Sequence, residues 1–470
     1  MTYQAALNYL NSFINYERIE DYNYKQALKL ERMADLAKRL GNPHHNINSI
    51  HIAGTKGKGS TAAFVHSILK THGSKVGLYT SPHLVTLRER IRINDELISE
   101  DDVARLVGRI RKTVENPAYG ERPTFFELYT ALAFLYFKER NADFAIYEVG
   151  MGGRLDATNI LKPLVCAITP ISYDHIKTLG ATLAEIAFEK AGIIKENSIC
   201  VVSPQEKEAQ DVIERVARSR NARLIQVGRD IKFDEVGGVP QGTTLCHGDN
   251  GLEIGRGTMV LRLRRKPSLK FKEVFNVYGI LNEYLKCESV LLGEHQIINA
   301  AAAVGIIEAL SNFGVKIPAD TIKKGLRQTR WSGRLELGSR NPLILLDGAH
   351  NRASARALAK TVREKFRLKD LLLILGVSKD KDIRGIVEEL EPISKSIILT
   401  KANIAERAEE PGRIREFVRG KETILTDNLS QALRRAQAKI TGEEAILITG
   451  SLFLVGEAKV ILEKNVTNKP

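Results

Sequence analysis

Apolar residues follow two rhythms that take turns along most of this chain. Short apolar-rich runs at Ser49–Ala53, Lys75–Tyr79, Phe144–Val149, Leu164–Ile168 and Ser198–Val202 read as buried strands. Between them, Ser60–Thr71, Asp101–Val114, Phe125–Arg140 and Thr182–Ala191 repeat their apolar positions at the period of a helix. Strands alternating with helices predict a parallel α/β sheet.

From about Gly228 to Leu292 the rhythm changes. Turn residues such as Gly237-Gly238 and Asp249-Asn250-Gly251 divide short alternating runs, Met259–Arg264 among them. This predicts a small antiparallel insert. Helices return at His295–Phe313 and Ala319–Thr329. A boundary is expected near Thr329–Trp331, and a second series follows it. Its strands are expected at Leu343–Leu346, Leu371–Leu375, Ser396–Thr400 and Ala445–Thr449. Its helices are expected at Ser354–Phe366, Ile383–Leu390, Pro411–Val418 and Leu429–Lys439. The organisation expected is one domain over 1–329, with the insert at about 228–292, and a smaller Rossmann-like domain over 330–470. The second series lacks a dinucleotide fingerprint. The polar tail from Lys464 is expected to fray.

The 470 residues suffice for two or three domains with real cores. With 43% hydrophobic and 27% charged residues, the chain is of the globular class. Its first twenty residues read as an amphipathic helix rather than a signal peptide. The apolar run Phe125–Phe137 is too short for a bilayer and contains Glu127. Cys166, Cys200, Cys246 and Cys287 show no metal or redox spacing; Cys166 and Cys200 sit in strand-like apolar runs, as expected of core thiols in a reducing cytoplasm. The net charge of +14 leaves three readings open. It can mark a nucleic-acid partner, a solvated basic surface, or a field that draws anionic small substrates. The densest basic stretch, Arg262–Lys272, has no acidic residue, yet no nucleic-acid motif accompanies it.

Chemistry concentrates first in His51–Phe64, HIAGTKGKGSTAAF. A strand ends in a glycine-rich turn, and a small-residue helix follows. Gly54, Gly57 and Gly59 let the backbone curl so that its N–H groups face a phosphate. Lys58 can reach terminal phosphates, and Ser60 or Thr61 can hold Mg²⁺. Gly59 interrupts the plain Gly-Lys-Ser/Thr pattern. Glu148 ends a strand-like run, and His175 follows the next one, so both belong at the carboxyl edge of an open sheet. With a hydroxyl they can hold a hard divalent cation. Taken singly, Glu148 can equally be a cap or ion-pair carboxylate, and His175 a surface or core histidine.

The phosphate loop is similar to that of the Mur ligase superfamily. The chain resembles its folylpolyglutamate synthase/dihydrofolate synthase branch through Ser81–Leu84, Glu148–Asn159 (EVGMGGRLDATN), Asp174-His175 and Glu189–Lys195. The likeness continues through Gly293–Ala300, Gly333–Glu336 and Asp347–Asn351. Lys56 and Arg352 depart from residues common in that branch.

The resemblance implies an ATP-dependent amide ligase: an ATP-binding domain followed by a ligase domain, acting through an acyl phosphate that glutamate attacks. Implied substrates are ATP with Mg²⁺, a folate or dihydropteroate, and L-glutamate, handled by a cytoplasmic monomer without nucleic acid or membrane. The implied ATP contacts are Thr55, Lys56, Gly57, Lys58, Gly59, Ser60, Asn299, Arg334 and Asp347. Implied metal ligands are Ser81, Glu148 and His175, joined by Lys190 if its amine is carbamylated; a helix lysine paired with Glu189 or another acidic neighbour is the plainer reading. Catalytic roles fall on Lys58, His175, Lys190, Arg334 and His350, the last either near the acyl phosphate or packed beneath the cleft. For the pterin-bearing substrate the candidates are Arg154, Leu155, Asp156 and Ala157; alternatively Asp156 caps a tight turn. A cell-wall Mur ligase, a P-loop ATPase switch and a nucleic-acid-binding protein stand as the other readings.

Overall fold

The computed structural model describes residues 1–17, 19, 24–236, 272–366, 371–403, 407–440 and 444–467. The first sheet has eight strands: β1 (Asn48–Ala53), β2 (Val76–Tyr79), β3 (Ile91–Ile93), β4 (Glu96–Leu97), β5 (Phe144–Glu148), β6 (Val165–Ile168), β7 (Ile199–Val202) and β8 (Arg223–Gln226). Their order is β4-β3-β2-β5-β1-β6-β7-β8. All neighbours pair parallel except β2–β3 and β3–β4 at one edge, where β3 runs against the rest. Helices cover both faces, so β2, β5, β6 and β7 are buried throughout, and this is why they read as unbroken apolar runs.

Helix starts follow their local chemistry. Thr124 and Glu127 form a capping box that begins Phe125–Glu139, a helix buried on nearly every side. Ser99 caps Glu100–Val114, which has three acids in its first turn and Arg111 and Lys112 in its last. The N-terminal helix is shorter than its pattern suggested, Tyr3–Asn11, and the chain beyond Ser12 turns in to line the interlobe crevice.

The expected antiparallel insert contains a three-stranded sheet, β9 (Lys232–Glu235), β10 (Glu273–Tyr278) and β11 (Glu283–Ser289), in the order β11-β10-β9. Residues 237–271, with Cys246, the run Met259–Arg264 and most of the basic stretch, lie outside the described residues. Glu294–Phe313 is long and apolar enough to cross a membrane, but 78% of its most apolar window is buried in the core. It packs against β6, β7 and the helix Lys58–Thr71.

The second sheet comprises β12 (Glu336–Arg340), β13 (Leu343–Leu346), β14 (Leu371–Leu375), β15 (Ser396–Leu399), β16 (Glu422–Leu425) and β17 (Ala445–Thr449). Its order is β12-β13-β17-β14-β15-β16, parallel except for β12. It encloses its own apolar cores, which from the first lobe take in Leu292 and are packed by Leu84. The last helix runs Leu452–Thr467, so the tail expected to fray from Lys464 stays helical to Thr467. Sequence reading missed β3, β4, β8, β12 and β16, short strands whose burial is partial or confined to a few residues.

Candidate active site

Sheet order does the first work of assembly. Because β1 lies between β5 and β6, the phosphate loop, Glu148 and the Asp174-His175 segment leave neighbouring strands at one carboxyl edge. The loops after β13, β14 and β17 of the second sheet face them. Between the lobes is a crevice of about 1910 Å³.

Gly57 caps the helix Lys58–Thr71 in the left-handed region, at φ +81°. A Cβ there would lie 2.3 Å from the Oδ1 of Asn299, so the turn needs glycine for both conformation and space. The N–H groups of Thr55 and Lys56 are both donated to the Pro170 carbonyl, at 3.1 Å. Those of the following helix start are free of intrahelical partners by geometry and form the anion-ready end. Thr55, Lys56, Gly57, Lys58 and Ser60 line the crevice, while Gly59 turns away from it. Burial pulls the Lys56 ammonium down to about 8.

Lys58 donates to the Gly54 carbonyl at 3.2 Å, and its Nζ lies 4.0 Å from Glu148. Glu148 is 5% exposed and accepts the Ser81 N–H at 3.2 Å. Burial raises its carboxyl; Lys58, the Ser81 N–H and Arg334 oppose the rise. His175, at φ +52°, opens onto the crevice solvent. Surrounding protein nonetheless lowers its imidazole to about 4, aided by Lys381, Lys190 and Lys58 and opposed by Asp174. Among the described residues no three His, Cys, Asp or Glu side chains cluster as a metal cage.

Lys190 is not paired with Glu189, contrary to the plainer sequence reading. Glu189 instead takes a bidentate bond from Arg154, the closest contact at 2.8 Å. The Lys190 side chain is 4% exposed and donates to the Gly54 carbonyl at 2.9 Å. Burial lowers its ammonium to about 7, Lys58 adding to the effect and Asp174 and Asp156 resisting it.

The segment Arg154–Ala157 does not line the crevice; Gly150, Met151 and Gly152 do. The Asp156 carboxylate is 2% exposed and accepts the N–H groups of Met151 and Thr158, each at 3.0 Å. It caps the turn Ala157–Ile160, as the alternative sequence reading had it.

Across the crevice, Arg334, Asp347 and His350 enter from the second lobe; Asn299 and His295 come from the helix Glu294–Ala309, with Asn299 against the phosphate loop. Asp347 accepts the N–H groups of Leu335 and Ala349, both at 2.8 Å. Burial raises its carboxyl, while Arg334 and these N–H groups oppose the rise. The His350 Nδ1 meets the Gly348 carbonyl at 2.8 Å, and burial depresses its imidazole.

Sequence reasoning missed the contacts that join the lobes. Lys381 lies 3.5 Å from Asp174 and 3.1 Å from Asp380. Burial alone would raise the Asp174 carboxyl, but His175, Lys381, His350 and Lys190 hold it well below the usual range. Arg407 donates to the Glu17 carbonyl at 2.7 Å, and Glu17 holds buried Arg90 through two bonds of 2.8 Å. The charged run Lys379–Asp382, just beyond a strand end, was the available signal.

Comparison with known proteins places this geometry. The Mur ligase middle domain model matches residues 52–307, and that of the Mur ligase glutamate ligase domain matches 333–452. The dihydrofolate synthase/folylpolyglutamate synthase of Bacillus subtilis (strain 168) is 34% identical over 440 residues, covering 92% of this chain and 94% of that protein. Mycobacterium tuberculosis folylpolyglutamate synthase complexed with ADP superposes with a TM-score of 0.82 at 29% identity, covering 98% of each chain. An FPGS–AMPPCP–folate complex gives 0.78 at 27% identity, covering 98% of this chain and 100% of that one. With both halves matched and the relatives covered nearly end to end, the chain belongs to the folylpolyglutamate synthase/dihydrofolate synthase branch of the Mur ligases, a family of ATP-dependent ligases.

Proposed function

We propose that this protein joins the amino group of L-glutamate to a carboxylate of a folate, of dihydropteroate, or of both, using ATP and Mg²⁺. The observation that carries the reading is the convergence of Lys58, Glu148, Lys190, Arg334 and Asp347 on one crevice fed by both lobes. The ADP and AMPPCP–folate complexes of its structural relatives support it. Division into an ATP-binding domain over 1–329 and a ligase domain over 330–470 is supported by the cores that each sheet encloses and by family models that stop at 307 and resume at 333.

In this reading the helix start after Gly57 and the Lys58 ammonium hold the ATP phosphates, with Thr55, Lys56, Gly59 and Ser60 shaping the loop. Asn299 completes the nucleotide site beside the loop, and Arg334 and Asp347 complete it from the opposite wall. Arg334 opposes charge on the transferring phosphoryl group. The substrate carboxylate takes the γ-phosphoryl as the β–γ P–O bond breaks and ADP is left, and the amine of glutamate attacks the acyl carbon. An amide bond forms, the amine loses a proton and phosphate leaves. His350 stands near the transferring centre. The protein contributes positioning and charge neutralisation.

The donor set fits Mg²⁺. Glu148 is a buried carboxylate that accepts the Ser81 N–H through one oxygen, and this suits a hard cation that keeps waters and phosphate oxygens as its other ligands. Ser81, Glu148 and His175, with Lys190 as its carbamate, would hold it; Mg²⁺ supplies charge neutralisation to the phosphates. The pterin-bearing substrate is assigned to the crevice beside Gly150–Gly152, with Arg154–Ala157 supporting that wall from behind. Every residue invoked comes from one chain, so a monomer suffices. The three described cysteines are buried free thiols, which suits a reducing cytoplasm. The basic surplus serves anionic substrates rather than nucleic acid.

The test is to incubate purified protein with ATP, Mg²⁺ and labelled glutamate, offering dihydropteroate and tetrahydrofolate separately, and to identify products by mass. Glutamate addition with ADP release is expected with at least one acceptor. Absence of product from both overturns the reading. An ¹⁸O-labelled acceptor carboxylate should deliver label to phosphate; unlabelled phosphate overturns the acyl-phosphate path.

A further inference from the structure

Gly59 sets this phosphate loop apart from the plain Gly-Lys-Ser/Thr pattern, and it does not face the crevice. A Cβ built on it would lie 3.1 Å from both Cζ2 and Nε1 of Trp331. Trp331 is the one tryptophan of the chain. The Arg92 guanidinium lies 5.6 Å from the indole centroid, and the buried Nε of Arg92 has no hydrogen-bond partner among the described residues. The first turn of the phosphate-loop helix and an arginine on β3 thus meet on one indole.

Trp331 also stands where the chain changes lobes. Before it, the helix Ala319–Gln328 is locked to the helix Lys58–Thr71. Ser67 donates to the Gly325 carbonyl at 2.7 Å, and a Cβ on Gly325 would sit 2.5 Å from the Ile68 Cα. Thr329 is still buried. After it, the Gly333 carbonyl accepts the Gly348 N–H at 2.8 Å, and the Leu335 N–H donates to Asp347 at 2.8 Å. Arg334 is therefore mounted on the second lobe, three residues beyond an indole docked on the first. The change of attachment falls within Trp331–Gly333, where Gly333 takes φ +71°.

We propose that Trp331 is a positioning residue for the ligase reaction. Its indole, held against Gly59 and Arg92, fixes the pivot from which Arg334 reaches the nucleotide phosphates, and it transmits movement of the phosphate loop to the second lobe. Gly59 is glycine because the indole occupies the space of a side chain. The proposal rests on the crevice being the ATP site.

The experiment follows the emission of the sole tryptophan during titration with AMPPCP, with binding measured in parallel by calorimetry. Steady-state kinetics are then compared for Trp331→Phe, Trp331→Ala, Gly59→Ala and the double variant Gly59→Ala/Trp331→Phe. Binding should shift the emission. Trp331→Ala should lower kcat on the order of 10- to 100-fold, the scale of a misplaced reacting group, with KM for glutamate little changed. Trp331→Phe should retain most of the rate. Gly59→Ala should lower kcat by crowding the indole, and the smaller ring of the double variant should restore part of it, a non-additivity expected of residues in contact. AMPPCP binding without an emission change overturns the proposal. So does Trp331→Ala that lowers the melting temperature while kcat stays within about twofold, or Gly59→Ala and Trp331→Phe effects that simply multiply. Absence of AMPPCP binding to the wild type overturns the ATP reading itself, and this inference with it.

Discussion

Lys58 and Lys190 aim their ammonium groups at one atom, the carbonyl oxygen of Gly54, at 3.2 and 2.9 Å. They lie 132 positions apart (190 − 58) and reach the same oxygen because the phosphate loop and the helix Leu183–Ala191 share the carboxyl edge of the sheet. Two neighbouring cations repel, and the nearest carboxylate of Glu148 stands 4.0 Å from Lys58. Burial, with repulsion from Lys58 adding to it, lowers Lys190 to about 7. A bound polyanion relieves that repulsion, so this corner of the crevice favours phosphate.

Removal of Lys58 should therefore act on turnover. Lys58→Ala is expected to lower kcat on the order of 10²–10³-fold, as loss of one preorganised electrostatic contact does. The fold should persist, read by circular dichroism and a cooperative melt. Near-normal ligase activity in this variant removes Lys58 from the mechanism.

Burial gives Lys190 the neutral amine that carbamylation would require. The chemistry needs a neutral amine that attacks CO₂ and loses a proton, and a lysine lowered to about 7 supplies it near neutrality where a solvated one does not. CO₂-depleted buffer should slow the wild type, and bicarbonate should restore it. Lys190→Ala should lose at least on the order of 10-fold in rate, the scale set by losing even an outer-shell metal partner. Acetate should return part of the loss. A wild-type rate unchanged by strict CO₂ removal rules the carbamate out.

Arg334 is carried by the second lobe, so its removal should impair closure over the nucleotide rather than folding. Arg334→Ala should lower kcat on the order of 10³-fold, the lower end for arginines that stabilise phosphoryl transfer. ATP plus acceptor should protect the strip Gln328–Gly333 from protease in the wild type and less so in the variant. Cleavage at the same rate with and without ligands counts against closure there.

His51 gives the fold a pH dependence independent of activity. It is buried on β1 with its Nε2 2.8 Å from the Thr158 hydroxyl, and burial lowers its imidazole to about 3. An unfolded chain protonates this group near ~6.5, so below that pH the unfolded state holds the extra proton. Stability should fall as pH drops from about 6.5 toward 3, by about 1.4 kcal/mol per pH unit at the steepest. His66, buried and lowered to about 4, adds to the trend. His51→Gln should remove one proton's share from the slope of urea midpoint against pH. Identical slopes for variant and wild type contradict the assignment.

Local chemistry carried much of this protein in its sequence. Central strands buried on both faces are mostly apolar, so β1, β2, β5, β6, β7 and β13 were legible, as were β14, β15 and β17. Glycine-rich turn chemistry marked the phosphate loop, and the order of motifs marked the family. Short edge strands such as β4 and β16 were not legible, because a partly exposed strand need not be apolar. Periodicity says which face of an element is buried, but not what lies against it. Only the sheet order β5-β1-β6 brings Glu148 and Lys58 together. Packing decided that Lys190 turns to the Gly54 carbonyl while Glu189 takes Arg154, and that Asp156 spends its carboxylate on its own turn. It also decided that Trp331 lies on Gly59. Such pairings join residues far apart in the chain. Their partners are chosen by burial and by the need of each buried polar group for a hydrogen bond, quantities that exist only once the chain has closed on itself.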